Sequence, residues 1–186
     1  MIHPYIDCMI ELRRRGIKVG QIMRISCKTG EGLVHRLWEP LAAKHSPPSG
    51  YAAKFSMPFC MAVSFFDGDA GLNQFSDQRV GDPKVLRLAE LISYEIDPEN
   101  EYPRNYTGHI KVELHSGEVV EINQPHMRGG KHEPLTEKQI TEKFANNCKH
   151  GGWKQYEHEA LLKFLMNIAS HQDMIEFRRV ASSVSN

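Results

Sequence analysis

The strongest constraint on the fold is an apolar run that starts after Ser56 and stops at Asp67-Gly68. Pro58 suits the first turn of a helix, where its missing N–H costs no hydrogen bond, and Ser56 is a good N-cap. The run is far shorter than the roughly 18 apolar residues of a membrane span, so it predicts a core helix. The residues that predict its buried face are Phe59, Ala62, Val63 and Phe66.

Two elements are predicted before this helix. Residues 5–14 have apolar side chains at helical spacing, and the cationic run Arg13–Arg15 followed by Gly16 suits a helix end. A nucleic-acid patch is the alternative interpretation of these arginines. From Ile17 the period changes to two, which predicts a half-buried strand. The residues predicted to share its inner face are Val19, Gln21, Met23, Ile25 and Cys27. Residues 39–50, rich in proline, are predicted to form a surface loop.

A second helix and a hairpin are predicted after the central helix. Asp82-Pro83 is a helix start followed by an apolar stripe, and residues 94–97 suit a short strand. Residues 109–115 alternate, with Ile110, Val112 and Leu114 inward, and Ser116-Gly117 turns the chain into a partner strand over 118–122. His109 and His115 fall on the polar face of the hairpin, where we expect solvated side chains.

Only helices are predicted beyond this hairpin. Thr136 and Gln139 form a capping box, which begins the first of two amphipathic helices over about 137–149 and 156–170. A third helical stretch is predicted near residues 174–180. The fold class that follows is α+β: a small sheet with helices packed on one face, followed by a C-terminal helical tail.

Composition argues against several classes of partner and of site. Lys plus Arg and Asp plus Glu both number 23, so no net field favours nucleic acid or an anionic membrane. Four cysteines lie far apart without a Cys-x-x-Cys pair, which favours reduced thiols in a cytoplasmic protein, and Met1–Pro4 does not resemble a signal peptide. Cys60 is expected to be packed in its helix. His126 and His132 flank a glycine-rich loop, but we predict no metal site.

Four short motifs occur along the chain in one order. They are His3-Pro4-Tyr5-Ile6-Asp7-Cys8, Lys54-Phe55-Ser56-Met57-Pro58-Phe59, Val112-Glu113-Leu114-His115-Ser116-Gly117, and Arg128-Gly129-Gly130 with Pro134-Leu135-Thr136 and Lys143-Phe144. Their order resembles that of the MmgE/PrpD family, whose best-known activity is the dehydration of 2-methylcitrate. One departure is Glu133, where the family often has Asn before the proline.

The resemblance implies a domain organisation. Family members are longer, and this chain looks like their C-terminal portion, in which an α+β part is inserted between segments of an all-helical domain. We therefore expect a helix over 1–15 that belongs to a helical domain, an α+β domain over 16–127, and a helical C-terminal segment over 128–186. An upstream helical domain or a second subunit is the implied partner, and homo-oligomers are expected.

The implied chemistry is the elimination of water from a small polycarboxylic acid. This needs a base, an acid and cationic groups that hold carboxylates, and no cofactor is expected. His3 and Tyr51 are the candidate catalytic residues. Lys54 and Ser56, before a predicted helix N-terminus, and Arg128, which can bind a carboxylate with two hydrogen bonds, are the candidate substrate-binding residues.

Other functions stay open on the sequence alone. Isomerases and decarboxylases of the same family also begin with a proton moved beside a carboxylate. A non-catalytic oligomerisation or binding domain is the alternative from another class, and an α+β domain unrelated to the family is a third possibility.

Overall fold

The structure, a computed structural model, describes residues 1–171 and 173–182. Its contacts divide the chain into two compact units, Met1–Pro134 and a second unit that begins at Leu135. The helices of the first unit are α1 (His3–Arg14), α2 (Glu31–Leu37), α3 (Leu41–His45), α4 (Gly50–Ala53), α5 (Met57–Asp67), α6 (Asp77–Val80) and α7 (Pro83–Glu90), with 3-10 turns at Val19–Gln21 and Leu72–Phe75. Its strands are β1 (Ile22–Thr29), β2 (Ile92–Ile96), β3 (Gly108–Leu114) and β4 (Val119–Gln124).

A four-stranded mixed sheet forms one layer of the first unit. The strand order is β2-β1-β3-β4, with β1 and β2 parallel and the other neighbours antiparallel. One face of the sheet is apolar and buried, as the predicted alternation of β3 requires. Its buried residues are Ile25, Cys27, Ile92, Ile110, Val112, Leu114 and Ile122. The other face is charged, where Arg24 Nη2 donates to Glu113 Oε1 at 2.6 Å.

Helix α5 lies at the centre of the core. The sequence predicted one buried face for this helix. In the structure every side chain from Met57 to Phe65 is buried, so the core surrounds the helix on all sides. Its ends follow the predicted signals: the Ser56 hydroxyl accepts from Phe59 N–H at 3.0 Å, and Gly68 adopts a left-handed φ of 71°. The predicted α+β class, with helices against one sheet face, is confirmed.

Helix α1 packs against α5 and against β3 and β4. Tyr5 on this helix is fully buried, and its hydroxyl donates to the Lys28 carbonyl at 2.6 Å. The sequence analysis expected the helix over residues 1–15 to belong to a helical domain, and that expectation stays a prediction. In this structure α1 lies within the first unit and contributes to its core.

The predicted inner face of β1 is wrong in its first half. The register shifts between Ile22 and Arg24, where a β-bulge adds a residue to the strand. Ile22 is therefore buried and Met23 is 42% exposed, and Val19 and Gln21 lie in a 3-10 turn before the strand. A bulge reverses the alternation, so only Ile25 and Cys27 keep their predicted inward orientation.

Residues 31–53 contain helices that the sequence analysis missed. Helix α2 begins directly after Gly30, and short helices α3 and α4 occupy much of the stretch predicted as a loop. Gly30 and Gly32 permit close packing here: a Cβ would lie 2.7 Å from Asn100 Oδ1 and 2.8 Å from Tyr102 Cε1, respectively. The two glycines thus allow the start of α2 to pack closely against the loop after β2.

The second unit is helical, as predicted. Its helices are α8 (Glu137–His150), α9 (Gln155–Met166) and α10 (Ile175–Ser182), with a 3-10 turn at Ile168–Ser170. The capping box is present, since the Thr136 hydroxyl accepts from Gln139 N–H at 3.3 Å and Gln139 Oε1 accepts from Thr136 N–H at 2.8 Å. Leu161 and Phe164 on α9 are buried, and the Phe164 ring lies 5.9 Å from that of Phe177 on α10.

Candidate functional site

The first unit contains an open cleft of about 530 Å³. It is bounded by α1, by the end of α5, by β4 and by the loop over residues 125–134, which we call the Arg128 loop. The charged residues that line it are Asp7, Glu11, Arg14, Arg15, Asp69, Arg128 and Glu133. Carboxylates and guanidinium groups are both present, so the cleft suits a ligand that carries hydrogen-bonding and anionic groups together.

Arg128 and Asp7 form an ion pair at this cleft. The Arg128 Nη2 donates to Asp7 Oδ1 at 2.6 Å, which is a short, charge-assisted hydrogen bond. The Arg128 side chain is 42% exposed, whereas that of Asp7 is 12% exposed. Arg128 therefore contacts a protein carboxylate and still keeps part of its side chain open to solvent, where a ligand can reach it.

Asp7 is in an unusual environment for a carboxylate. Burial raises its pKa above the ordinary value, and Glu133 acts in the same direction, while Arg128 and His3 lower the pKa. Among the residues that the structure describes, Asp7 Oδ2 is buried without a hydrogen-bond partner. Arg128 thus offsets part of the cost of desolvating the Asp7 carboxylate, and the net result is still a raised pKa.

The position of Arg128 is fixed by the loop that carries it. Gln124, at the end of β4, donates through Nε2 to Glu133 Oε2 at 2.5 Å and to the His126 carbonyl at 2.8 Å. Gly129 has a φ of 88° and its N–H donates to the Glu133 carbonyl at 2.7 Å. A left-handed glycine and a strand-end glutamine together fold the loop back on itself beside α1.

Two other arginines at the cleft are paired with one carboxylate of the same helix. Arg14 Nε and Arg15 Nε donate to the two oxygens of Glu11 at 2.7 and 2.9 Å. Because both share one carboxylate on their own helix, Glu11 has its pKa lowered to about 2 by hydrogen bonds to these guanidinium groups. Arg128 contacts a different carboxylate, the partly desolvated Asp7.

The other predicted substrate-binding residues lie apart from this cleft. Lys54 ends α4, and its Nζ lies 6.0 Å from the centre of the Phe75 ring. Ser56 is fully buried, and its hydroxyl donates to the Lys44 carbonyl at 2.5 Å while it accepts from Phe59. The lining of the cleft includes Arg128 but neither Lys54 nor Ser56.

The two predicted catalytic residues are both exposed but differ in their surroundings. Tyr51 is 73% exposed on α4, and its ring contacts that of Phe55 edge-on at 5.4 Å. His3 begins α1 one turn before Asp7, and its charge lowers the Asp7 pKa. Of these two residues, His3 is therefore associated with the Arg128 cleft through Asp7, and Tyr51 is not among the residues that line it.

The buried thiols are unsuited to nucleophilic chemistry. Burial raises the pKa of Cys60 to about 12, and its Sγ donates to the Ala53 carbonyl at 3.3 Å. Burial likewise raises the pKa of Cys8 to about 12. His126 and His132 stack at 4.7 Å, and no group of three metal-ligating side chains occurs within residues 1–171 and 173–182. Within the same residues no helix is long and apolar enough to cross a membrane.

Asp7 and Glu133 are functional candidates that the sequence analysis missed. Asp7 stands in the quoted His3–Cys8 motif, but its chemistry depends on Arg128, which is distant in sequence. Glu133 was noted as a departure from the family pattern, and the structure gives it a role in anchoring the Arg128 loop to Gln124. No signal in the neighbouring sequence distinguishes Asp7 from Glu11, the other carboxylate on the same helix.

Comparison with known proteins agrees with the motifs. No curated protein matches this chain. The family model for the MmgE/PrpD C-terminal domain matches residues 1–164, a span that includes all four motifs and the whole of the Arg128 cleft. The resemblance seen in the sequence is confirmed, and the chain belongs to the MmgE/PrpD C-terminal domain family.

Proposed function

We propose that this chain is the C-terminal part of an MmgE/PrpD-type lyase that removes water from a small polycarboxylic acid such as 2-methylcitrate. The reaction begins with abstraction of a carbon-bound proton beside a carboxylate. The observation that carries the proposal is the half-exposed Arg128 at an open cleft, paired on one side with a partly desolvated carboxylate. Family membership supports the reaction class.

Arg128 is the proposed anchor for a substrate carboxylate. A guanidinium group offers a planar set of donors that can bind a carboxylate by two hydrogen bonds, and it stays charged at any pH of interest. The remaining predictions, with Lys54 and Ser56 as further substrate contacts and His3 and Tyr51 in proton transfer, extend the proposal. All four are supported by the resemblance, and His3 also by its effect on Asp7.

A partner completes the proposed active site. Tyr51, Lys54 and Ser56 are not among the residues that line the Arg128 cleft, so an upstream helical domain or a second subunit would supply groups opposite Arg128. A non-catalytic oligomerisation role is the second candidate. Exposed apolar side chains in the second unit, among them Ile140 and Ile168, favour it and suit a second copy of the chain as partner.

Titration calorimetry with propane-1,2,3-tricarboxylate tests the carboxylate anchor. This probe has three carboxylates but no hydroxyl group to eliminate, so binding is measured without turnover. We expect Arg128→Gln to weaken binding about 10- to 100-fold, since a charge-assisted hydrogen bond contributes about 1.5–3 kcal/mol.

Arg24→Gln is the matched control. Arg24 also forms a 2.6 Å pair with a carboxylate, that of Glu113, but on the solvent-facing side of the sheet. Its replacement is expected to leave the affinity unchanged. Equal affinity for wild type and Arg128→Gln would overturn Arg128 as the anchor, and equal loss in both variants would indicate non-specific attraction of the anion.

A further inference from the structure

We propose that Asp7 is an internal substitute for the substrate carboxylate: it occupies Arg128 until the ligand displaces it, and the displaced Asp7 carboxylate then takes up a proton. The inference rests on the proposed function, because it requires that a carboxylate ligand bind at Arg128. It adds a competition between Asp7 and the ligand carboxylate for Arg128, which couples ligand binding to protonation of Asp7.

The geometry of the pair supports the substitution. Asp7 Oδ1 lies 2.6 Å from Arg128 Nη2, at the distance expected for a ligand carboxylate. Asp7 lies on α1, which is fixed in the core, whereas Arg128 lies on a loop and is 42% exposed. The guanidinium group can therefore turn towards the cleft and a ligand, while Asp7 stays in place.

Displacement would leave Asp7 in a position that disfavours its charge. Its Oδ2 is buried without a partner among the described residues, and Arg128 is the cation that donates to Oδ1. Once Arg128 binds a ligand, a second carboxylate stands nearby, and a desolvated carboxylate beside a like charge binds a proton. One O–H bond forms on Asp7, and the proton comes from solvent.

Neighbouring charges determine how strong this coupling is. Glu133 already raises the Asp7 pKa, and His3 lowers it. The other ionisable groups around the cleft come from α1 and the end of α5, and they are Glu11, Arg14, Arg15 and Asp69. Since Arg14 and Arg15 are paired with Glu11, neither replaces Arg128 as the cation for Asp7.

Calorimetry in buffers of different ionisation enthalpy measures the protons taken up on binding. Propane-1,2,3-tricarboxylate is titrated into the full chain between about pH 7 and about pH 8.5, where free carboxyl groups are ionised. Wild type is expected to take up about one proton per ligand and to bind more tightly as the pH falls. Asp7→Asn is expected to take up no proton and to bind about tenfold more tightly at the upper pH. This change corresponds to about 1.4 kcal/mol of binding free energy.

Two variants separate Asp7 from its neighbours. Asp69→Asn removes another carboxylate that lines the same cleft, and it should retain the proton uptake. His3→Gln should retain it as well, which excludes the imidazole as the proton acceptor. Should Asp7→Asn fail to fold, judged by its melting transition, Asp7→Ala in the same assay gives the same expected loss of proton uptake.

The outcomes separate this inference from the proposed function. Tight binding without proton uptake in wild type, or with uptake that persists in Asp7→Asn, would overturn the role of Asp7 and leave Arg128 as the anchor. Loss of the uptake in His3→Gln would also overturn it. Absence of binding in wild type and in Asp7→Asn would reject both proposals together.

Discussion

Gly108 contacts the first turn of α1 so closely that a Cβ on it would lie 2.5 Å from the Pro4 carbonyl carbon and 2.6 Å from its oxygen. Cys8, one turn further along the helix, donates through Sγ to the Gly108 carbonyl at 3.5 Å. The helix that carries His3 and Asp7 is therefore seated directly on the start of β3, with no side chain between the two backbones.

Gly108→Ala is expected to destabilise the first unit by about 1–3 kcal/mol, because the added methyl group overlaps backbone that cannot move without displacing α1. Urea denaturation followed by circular dichroism measures the change. Gly20→Ala is the control: a Cβ on Gly20 meets no atom within 4 Å, so its effect should stay within about 0.5 kcal/mol. A neutral Gly108→Ala would show that α1 can shift away from β3.

Ser56→Ala should lower stability by about 1–2 kcal/mol, since it removes both the N-cap of α5 and the hydrogen bond to the Lys44 carbonyl. Ser76→Ala provides a comparison. Ser76 caps α6, a short helix at the surface, so its replacement should lower stability by less. Denaturant midpoints measure both variants. An undiminished midpoint for Ser56→Ala would mean that water replaces the hydroxyl group.

The pair between Glu11 and its two arginines predicts an acid-sensitive contribution to stability. Hydrogen bonds from Arg14 and Arg15 lower the Glu11 pKa from 4.5 to about 2 in the folded state. The stabilisation is therefore fully present above about pH 4.5 and is lost as the pH falls through about 2.

Glu11→Gln should flatten this part of the stability profile, measured as the urea midpoint from about pH 5 to about pH 2. Glu99→Gln, on the loop after β2, serves as the control and should keep the wild-type profile. A Glu11→Gln profile that coincides with the wild-type profile would refute the contribution of this pair.

The chain alone is expected to be catalytically silent with 2-methylcitrate or citrate, because its proposed proton-transfer and anchoring residues do not line one cleft. Absorbance of the unsaturated product measures turnover, with an active MmgE/PrpD dehydratase as the positive control. Sustained turnover by the purified chain would contradict the need for a partner domain, while it would support the assignment as a lyase.

The second unit is expected to drive self-association. Ile140 is 53% exposed on α8, and Ile168, in the 3-10 turn that follows α9, is also exposed. Sedimentation velocity should reveal a concentration-dependent larger species in wild type, and Ile140→Glu should weaken it by placing a charge on the interface. Val119→Glu alters an equally exposed apolar residue of the first unit and should have no effect. A monomer at every concentration would reject the proposal.

Local signals in the sequence predicted the helix ends well. Ser56, Asp82 and Thr136 cap α5, α7 and α8 as expected, because capping depends on residues within one turn. The bulge at Met23 was not predictable from alternation alone, since it is set by the register with β3. Helix α2 was missed for a similar reason, since the close packing of Gly30 and Gly32 depends on Asn100 and Tyr102, which are distant in sequence.

The candidate site was predictable only in part. Arg128 stood out because arginine in a glycine-rich loop suits carboxylate binding, and the structure places it at the cleft. Asp7 could not be recognised from its neighbours, because its raised pKa arises from burial against distant segments. Lys54 and Ser56 were chosen because they precede a predicted helix N-terminus, a local signal that does not determine which distant segment they face.

Because α5 is buried on all sides, its tolerance to substitution should differ from that of an amphipathic helix. An ordinary amphipathic helix tolerates polar replacements every third or fourth residue, on its exposed side. Since every side chain from Met57 to Phe65 is buried, a saturation mutagenesis scan of this segment should give one unbroken block of intolerance. Such a block resembles the signature of a catalytic segment, although here it would reflect only the absence of a solvent-facing side.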